Sequence, residues 1–238
     1  MIYFLNLVHW GYTRILRKYF KIQYSYSLSV LLENNFKYNF SFVQIGANDG
    51  ISFDNLFDFV VARNSSGIVV EPVHEYFVEL VKNYENYPNI IKVNKAIHPI
   101  EKKIIINKIA SDKIFKYPDW VKGIASIDSL HHLKTGIASE DIVKEEVDAD
   151  TLMNVLKDNL VDFSIDYFQV DAEGFDYEIL KQIDFNICKP TIIKFEFVNL
   201  TSQKRQKLKL FLKKQNYYLF DDVCDTIALD FSKVKIYL

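Results

Sequence analysis

Short unbroken apolar runs alternate along the chain with segments whose apolar residues recur every three or four positions. That alternation predicts buried parallel strands joined by amphipathic helices. Phe40 to Ile45, Ile68 to Val70, Asn89 to Ile97, Ile165 to Asp171 and Thr191 to Phe197 read as strands. Phe53 to Ala62, the segment carrying Phe77, Leu80, Val81 and Tyr84, Thr151 to Leu160, Gly174 to Ile183 and Ser202 to Gln215 read as helices. Lys102 to Ile109 adds a β-segment, and Ala110 to Glu140 is less regular and is where the acceptor site is expected. Tyr217 to Asp221, with Ile227 to Asp230 or Lys233 to Tyr237, closes the sheet as an antiparallel hairpin. No repeat or linker interrupts the pattern, so the economical architecture is one α/β sandwich at 38–238 behind a helical appendage at 1–37.

The first strand runs into the loop Gly46-Ala47-Asn48-Asp49-Gly50. Gly46 gives the tight turn that lets backbone pass beneath a ligand. A dinucleotide loop would carry a second glycine where Asn48 stands, and Asp49 would repel a pyrophosphate. A carboxylate there suits a ligand bearing an ammonium and a sulfonium, which favours S-adenosylmethionine over NAD. The rival for this loop is an ordinary structural turn.

Ligands of open α/β sheets sit beyond the carboxyl ends of the strands, where Asp49, Glu71 and Asp171 fall. Glu71 lies one βα unit after Gly46, the separation at which an acid accepts hydrogen bonds from ribose hydroxyls. Asp171-Ala172-Glu173-Gly174-Phe175-Asp176 opens a helix, so its acids also read as a cap and as complements to the helix dipole.

Charge narrows the partners. With 29 basic and 31 acidic residues the chain has no excess for holding nucleic acid, and the basic run from Lys204 to Lys214 reads as the solvated face of a helix buried through Leu208, Phe211 and Leu212. Cys188 and Cys224 lie outside any C-x-x-C pattern and read as small core residues of a cytoplasmic protein without a zinc site. No run is apolar enough to span a membrane, and Met1 to Trp10 has no leader pattern. The stripe Val8, Tyr12, Ile15, Leu16 and Tyr19, interleaved with Arg14, Arg17, Lys18 and Lys21, has three readings: packing on the domain's own surface, contact with a second subunit, or peripheral contact with the inner face of an anionic membrane.

The loop Val43 to Gly50, the turn Val70-Glu71-Pro72, the strand end Ala96-Ile97, Thr151-Leu152 and the run Val170 to Leu180 together resemble the FkbM family of S-adenosylmethionine-dependent methyltransferases, over about Phe42 to Glu196. Gly123 to Asp128 is similar to a serine-bearing segment of that family. The resemblance implies a class I, Rossmann-like, three-layer sandwich with a mostly parallel seven-stranded sheet and an antiparallel C-terminal strand. It implies S-adenosylmethionine as donor and a hydroxyl on a sugar, glycan or other natural product as acceptor. By position, Gly46, Ala47, Asn48 and Gly50 would back the methionine portion, Glu71 the ribose, and Asn94, Ala96 and Ile97 the adenine rim, with Asp49 and Pro72 completing the cofactor-binding set. Gln44 departs from the acidic residue many methyltransferases carry there, which leaves backbone carbonyls or Asp171 for the donor's ammonium.

A hydroxyl acceptor needs a base, and Asp171, Glu173, His131 and His132 are the candidates. The ordinary reading of the two histidines is exposed polar residues in a loop. Asp171, Glu173 and Glu196 could instead bind a metal, but they form no clear ligand cluster in sequence. Two other classes remain: a dehydrogenase, disfavoured by Asn48 and Asp49, and a non-catalytic binding or assembly module of the same fold.

Overall fold

The computed structural model describes residues 1–20, 27–52, 56–160 and 162–236. Lys21, the start of the helix expected from Phe53, and Tyr237 lie outside the described residues. Helix α1 (Ile2–Phe20) and helix α2 (Leu28–Asn35) precede the first strand, β1 (Ser41–Ile45). Then follow α3 (Leu56–Val61), β2 (Ser66–Val70), α4 (His74–Asn83), β3 (Ile90–Val93), β4 (Ala96–Ile97) and β5 (Lys103–Ile109). Four short 3₁₀ turns and β6 (Ala125–Ser126) lead to β7 (Ile142–Asp150). The chain closes with α5 (Leu152–Asn159), β8 (Tyr167–Val170), α6 (Asp176–Leu180), β9 (Ile192–Glu196), α7 (Ser202–Lys214), β10 (Tyr217–Asp222) and β11 (Asp225–Asp230).

The main sheet has seven strands in the order β10-β11-β9-β8-β1-β2-β3, and only β11 runs against its neighbours. Its central strands are buried on both faces, so their residues alternate between two cores instead of between core and water. Val43, Ile68, Phe168 and Ile193 point to the core shared with α5, α6 and α7. Phe42, Val69, Tyr167 and Ile192 point to the core shared with α2, α3 and α4. The result is the expected three-layer sandwich. Thr151 and Thr201 start α5 and α7 by accepting the backbone N–H of Asn154 and Lys204, as N-caps do.

Four features depart from the sequence reading. The single strand expected over Asn89 to Ile97 is two strands, because the chain turns at Asn94-Lys95 and carries Ala96-Ile97 to a second sheet, ordered β4-β7-β5-β6. The nine residues of β7 form a strand that the sequence reading left unassigned, pairing antiparallel with β5 along its length. Cys188 is buried, but Cys224 is exposed because it follows Val223 in the tip of the β10–β11 hairpin. The face by which α1 packs is not the apolar stripe: Asn6 and Thr13 are buried, while Val8, Tyr12, Ile15 and Tyr19 are exposed.

Asn6 explains that packing. Its amide donates to the carbonyls of Phe231 and Val234, and its carbonyl accepts the N–H of Ile236 3.2 Å away. Trp10 adds edge contacts to Tyr218 and Phe231. Helix α1 is thus tied to the segment after β11 by a polar plug. Asn6→Ala should strand two buried carbonyls and one N–H, lowering stability in urea unfolding by about 1–3 kcal/mol while leaving the far-ultraviolet spectrum of the sandwich intact.

Candidate active site at the switch point of the sheet

From β1 the chain moves through β2 to β3 on one side, and β8 resumes on the other, so strand order reverses between β1 and β8. A crevice opens at such a point because the connections leave in opposite directions. Here it is a cavity of about 280 Å³ whose floor includes Gln44 and Gln169, in register on adjacent strands.

Gly46 decides the shape of the floor. Its φ is +77°, and a Cβ there would stand 1.8 Å from the Asp171 carbonyl oxygen, a backbone atom with no freedom to yield. Gly46 and Ala47 both donate to the Val70 carbonyl, which seats the loop across the end of β2. Asn48 follows at φ +49°, a left-handed conformation that asparagine tolerates better than most residues. Its N–H donates to Glu71 at 2.9 Å, and its side-chain amide donates to the Lys122 carbonyl at 2.9 Å. Lys122 belongs to the 3₁₀ turn Asp119–Gly123, whose Trp120 and Gly123 line the cavity opposite the loop.

The buried Glu71 carboxylate accepts N–H groups from Asn48 and Val73, one on each oxygen. Burial raises its pKa to about 7 against the pull of those two bonds. Each oxygen keeps a lone pair for a ligand hydroxyl. Beside it Tyr76 lines the cavity with a buried hydroxyl that has no partner among the described residues. Pro72, Ala96, Ile97 and Phe175 supply apolar wall, and the second sheet contributes Ile104, Ile106, Ala125 and Ile127. Lys95 also lines the cavity and is held by Asp150, whose carboxyl is kept well below the usual range, first by a hydrogen bond from Lys102.

At the other end stand the carboxylates that follow β8 and β9. Asp171 is an exposed residue that lines the cavity, and desolvation by the surrounding protein, then Glu196 and Glu173, push its pKa well up. Glu173 adopts φ +47° and is followed by Gly174 at +95°. Holding a non-glycine residue there costs about 1–3 kcal/mol, a strain that clusters at ligand sites. The turn aims the Glu173 carboxylate at His131 Nε2, 3.0 Å away, and at the Asn199 amide, 2.8 Å away. Asn199 also donates to Glu196, whose pKa burial and then Glu173 raise to about 7. Asp176 is wholly buried, and burial followed by Asp171 drives its pKa well up.

Of the residues singled out in sequence, Gly46, Ala47, Asn48, Glu71, Pro72, Ala96, Ile97, Asp171 and Glu173 meet in this cavity. Asp49, Gly50 and Asn94 stand outside its lining. Asp49 accepts the N–H groups of Ile51 and Ser52 and the Ser52 hydroxyl, so its carboxylate caps the turn instead of facing a ligand. Gly50 closes the same turn through its N–H to Ala47. Asn94 donates to the carbonyls of Glu71 and Pro72 and braces the turn after β2. His131 lies behind Glu173, and His132 pairs with Ser139 2.9 Å away; both are buried, not exposed loop residues. Tyr76, Trp120 and Lys194 line the cavity without having been singled out. The alternation of Ile104 and Ile106 in β5 was their only nearby signal, since the other contributors come from segments distant in sequence. Among the described residues no group of three His, Cys, Asp or Glu side chains is placed to hold a metal ion.

The strand order, the glycine turn at the switch point and the acid ending the second strand are those that the resemblance to class I methyltransferases implies. The chain matches the methyltransferase FkbM domain over residues 44–229, and it belongs to that family. S-adenosylmethionine is accordingly its methyl donor. No curated protein matches the chain. Among solved structures it is similar to the FkbM methyltransferase of Methylobacillus flagellatus KT, at 15% identity and a TM-score of 0.48, covering 89% of this chain and 49% of that one. It is similar to precorrin-6y C5,15-methyltransferase of Geobacter metallireducens GS-15, at 12% identity, TM-score 0.41 and coverage of 85% and 86%. The human methyltransferase 10 domain containing protein gives 15% identity, TM-score 0.42 and 92% coverage of each chain.

The residues fit the donor. Glu71 offers acceptors for hydroxyls, the middle of the cavity is apolar, and the carboxylates suit cationic groups. Gly46→Ala should therefore weaken S-adenosylmethionine binding at least 100-fold in calorimetry, because the methyl group forces apart the ends of β1 and β8. The raised carboxyls also set a pH dependence. Glu196 ionises near 7 when folded but near about 4.3 when unfolded, so the folded state binds the extra proton between those values. Its contribution to stability is complete below about 4.3 and is lost as pH rises to about 7. Thermal unfolding from pH 4 to 8 should show Glu196→Gln gaining on the parent through that window and holding a constant lead above it.

Proposed function

We propose that the chain methylates a hydroxyl oxygen on a sugar, glycan or related polyhydroxylated natural product. The observation that carries this reading is Glu173: it lines the cavity, sits in a strained left-handed turn, and is held by His131 and Asn199. Strain of that kind is retained where a side chain must point in one direction.

In this reading Glu71 receives the ribose hydroxyls, and Pro72, Ala96 and Ile97 flank the adenine. The backbone of Gly46, Ala47 and Asn48 lies under the methionine portion, while Asp171 pairs with its ammonium and takes the place of the acid absent at Gln44. The bound sulfonium supplies an electrophilic methyl carbon. Most of the rate then comes from holding the acceptor oxygen in line with that carbon, and Glu173 takes the hydroxyl proton as the new bond forms. His131 positions Glu173.

Trp120, half exposed at the cavity edge, offers a flat apolar surface to a sugar ring. The carboxylates of Asp171 and Glu173 are suited to adjacent hydroxyls and would repel the phosphates of a nucleic acid. The acceptor is thus a small molecule or glycan and not a polyanion.

Incubation with labelled S-adenosylmethionine and fractionated glycan and metabolite extracts should place the methyl on oxygen, read by mass analysis. Methyl on nitrogen, or only in the nucleic-acid fraction, would overturn the reading. Glu173→Gln should lower kcat about 10²–10⁴-fold with donor affinity within twofold of the parent. An equal loss of donor affinity would make Glu173 a donor-binding residue instead.

A further inference from the structure

Helix α1 packs inside out. Its inward side carries the buried Asn6 and Thr13, and Asn6 spends its amide on the chain after β11. Phe4, Val8, Tyr12, Ile15 and Tyr19 are all more than half exposed, with values from 52% to 67%. At 100° per residue these five positions fall within an arc of about 80°, nearly opposite Asn6 and Thr13. A continuous apolar stripe four turns long therefore faces away from the domain.

Its company identifies what it meets. Met1 to Phe20 contains no acidic residue, whereas Arg14, Arg17 and Lys18 are exposed at the same end as Ile15 and Tyr19. Every formal charge among the side chains of this segment is positive, although the chain as a whole carries a net charge of -2. Tyrosines lie in the stripe, Lys18 borders it and Arg14 stands further round, a composition found in helices that lie in the plane of a bilayer with the apolar side among acyl chains and cations at headgroup level.

We infer that α1 is a docking face for an anionic lipid bilayer. It rests on the plug at Asn6, which holds the stripe outward, and not on the reading of the acceptor given above. No helix among the described residues is long and apolar enough to cross a membrane, so the contact is in-plane. The helix is anchored beside Phe231, after the end of β11 that pairs with Ile192 at the start of β9, whereas the cavity lies beyond the carboxyl ends of the strands. Docking leaves the cavity unobstructed.

Full-length protein should cosediment with vesicles of phosphatidylglycerol and phosphatidylcholine at least tenfold more than with phosphatidylcholine alone, and less as salt is raised. The double variant Val8→Asp, Ile15→Asp should lose at least tenfold of that binding while keeping the parent's S-adenosylmethionine affinity and thermal midpoint, since both positions are exposed. Failure of the parent to bind anionic vesicles overturns the inference. So does a parent dimer, seen by sedimentation velocity, that the same double variant dissociates, which would make the stripe a subunit contact.

Discussion

Two backbones meet where Gly46 has no side chain. The carbonyl of Asp171 occupies the place a Cβ would fill, so the loop after β1 and the turn after β8 close on each other at the switch point. Everything in the cavity is referenced to that contact. It brings the β1 loop close enough for Asn48 to reach Glu71, and it starts the turn that carries Asp171 to Glu173 into position. A larger residue would not fill a gap; it would separate the two halves of the sheet at the switch point.

Beyond this contact the site is organised against electrostatic comfort. Glu71, Asp171, Asp176 and Glu196 all have raised pKa values, each with desolvation as the leading cause. A fold selected for stability alone would pair or remove them, as it does Asp150 with Lys102 and Lys95. Perturbed carboxyls gathered at one end of a sheet are a mark of a ligand-binding end. The left-handed Glu173 belongs to the same pattern of local cost at a binding surface.

How much of this could be read in advance follows from range. Runs such as Phe42 to Ile45 and Tyr167 to Val170 announced central strands because burial on both faces demands near-continuous apolarity, interrupted here only by Gln44 and Gln169. Ser202 to Gln215 was legible as a helix from the spacing of Leu208, Phe211 and Leu212, a local pattern. The turn at Asn94-Lys95 was hidden, as no glycine or proline marks it and its reason is the pairing of Ala96 with Ala149 far along the chain. Glu71, Asp171 and Glu173 were legible as acids at strand ends. Asp49 was read as facing a ligand because sequence cannot distinguish a carboxylate aimed at a cavity from one folded back on its own turn. The partnership of His131 with Glu173, and the outward turn of the α1 stripe, depend on contacts across 42 and more than 200 residues, which no local pattern encodes.

Two hydrogen bonds of one residue join parts of the cavity wall. Asn48 gives its backbone N–H to Glu71 and its side chain to Lys122, so the floor of the cavity and the turn opposite it share a single residue. A residue at position 48 without a side-chain donor would therefore release the turn that bears Trp120 from the loop while keeping the backbone bond to Glu71.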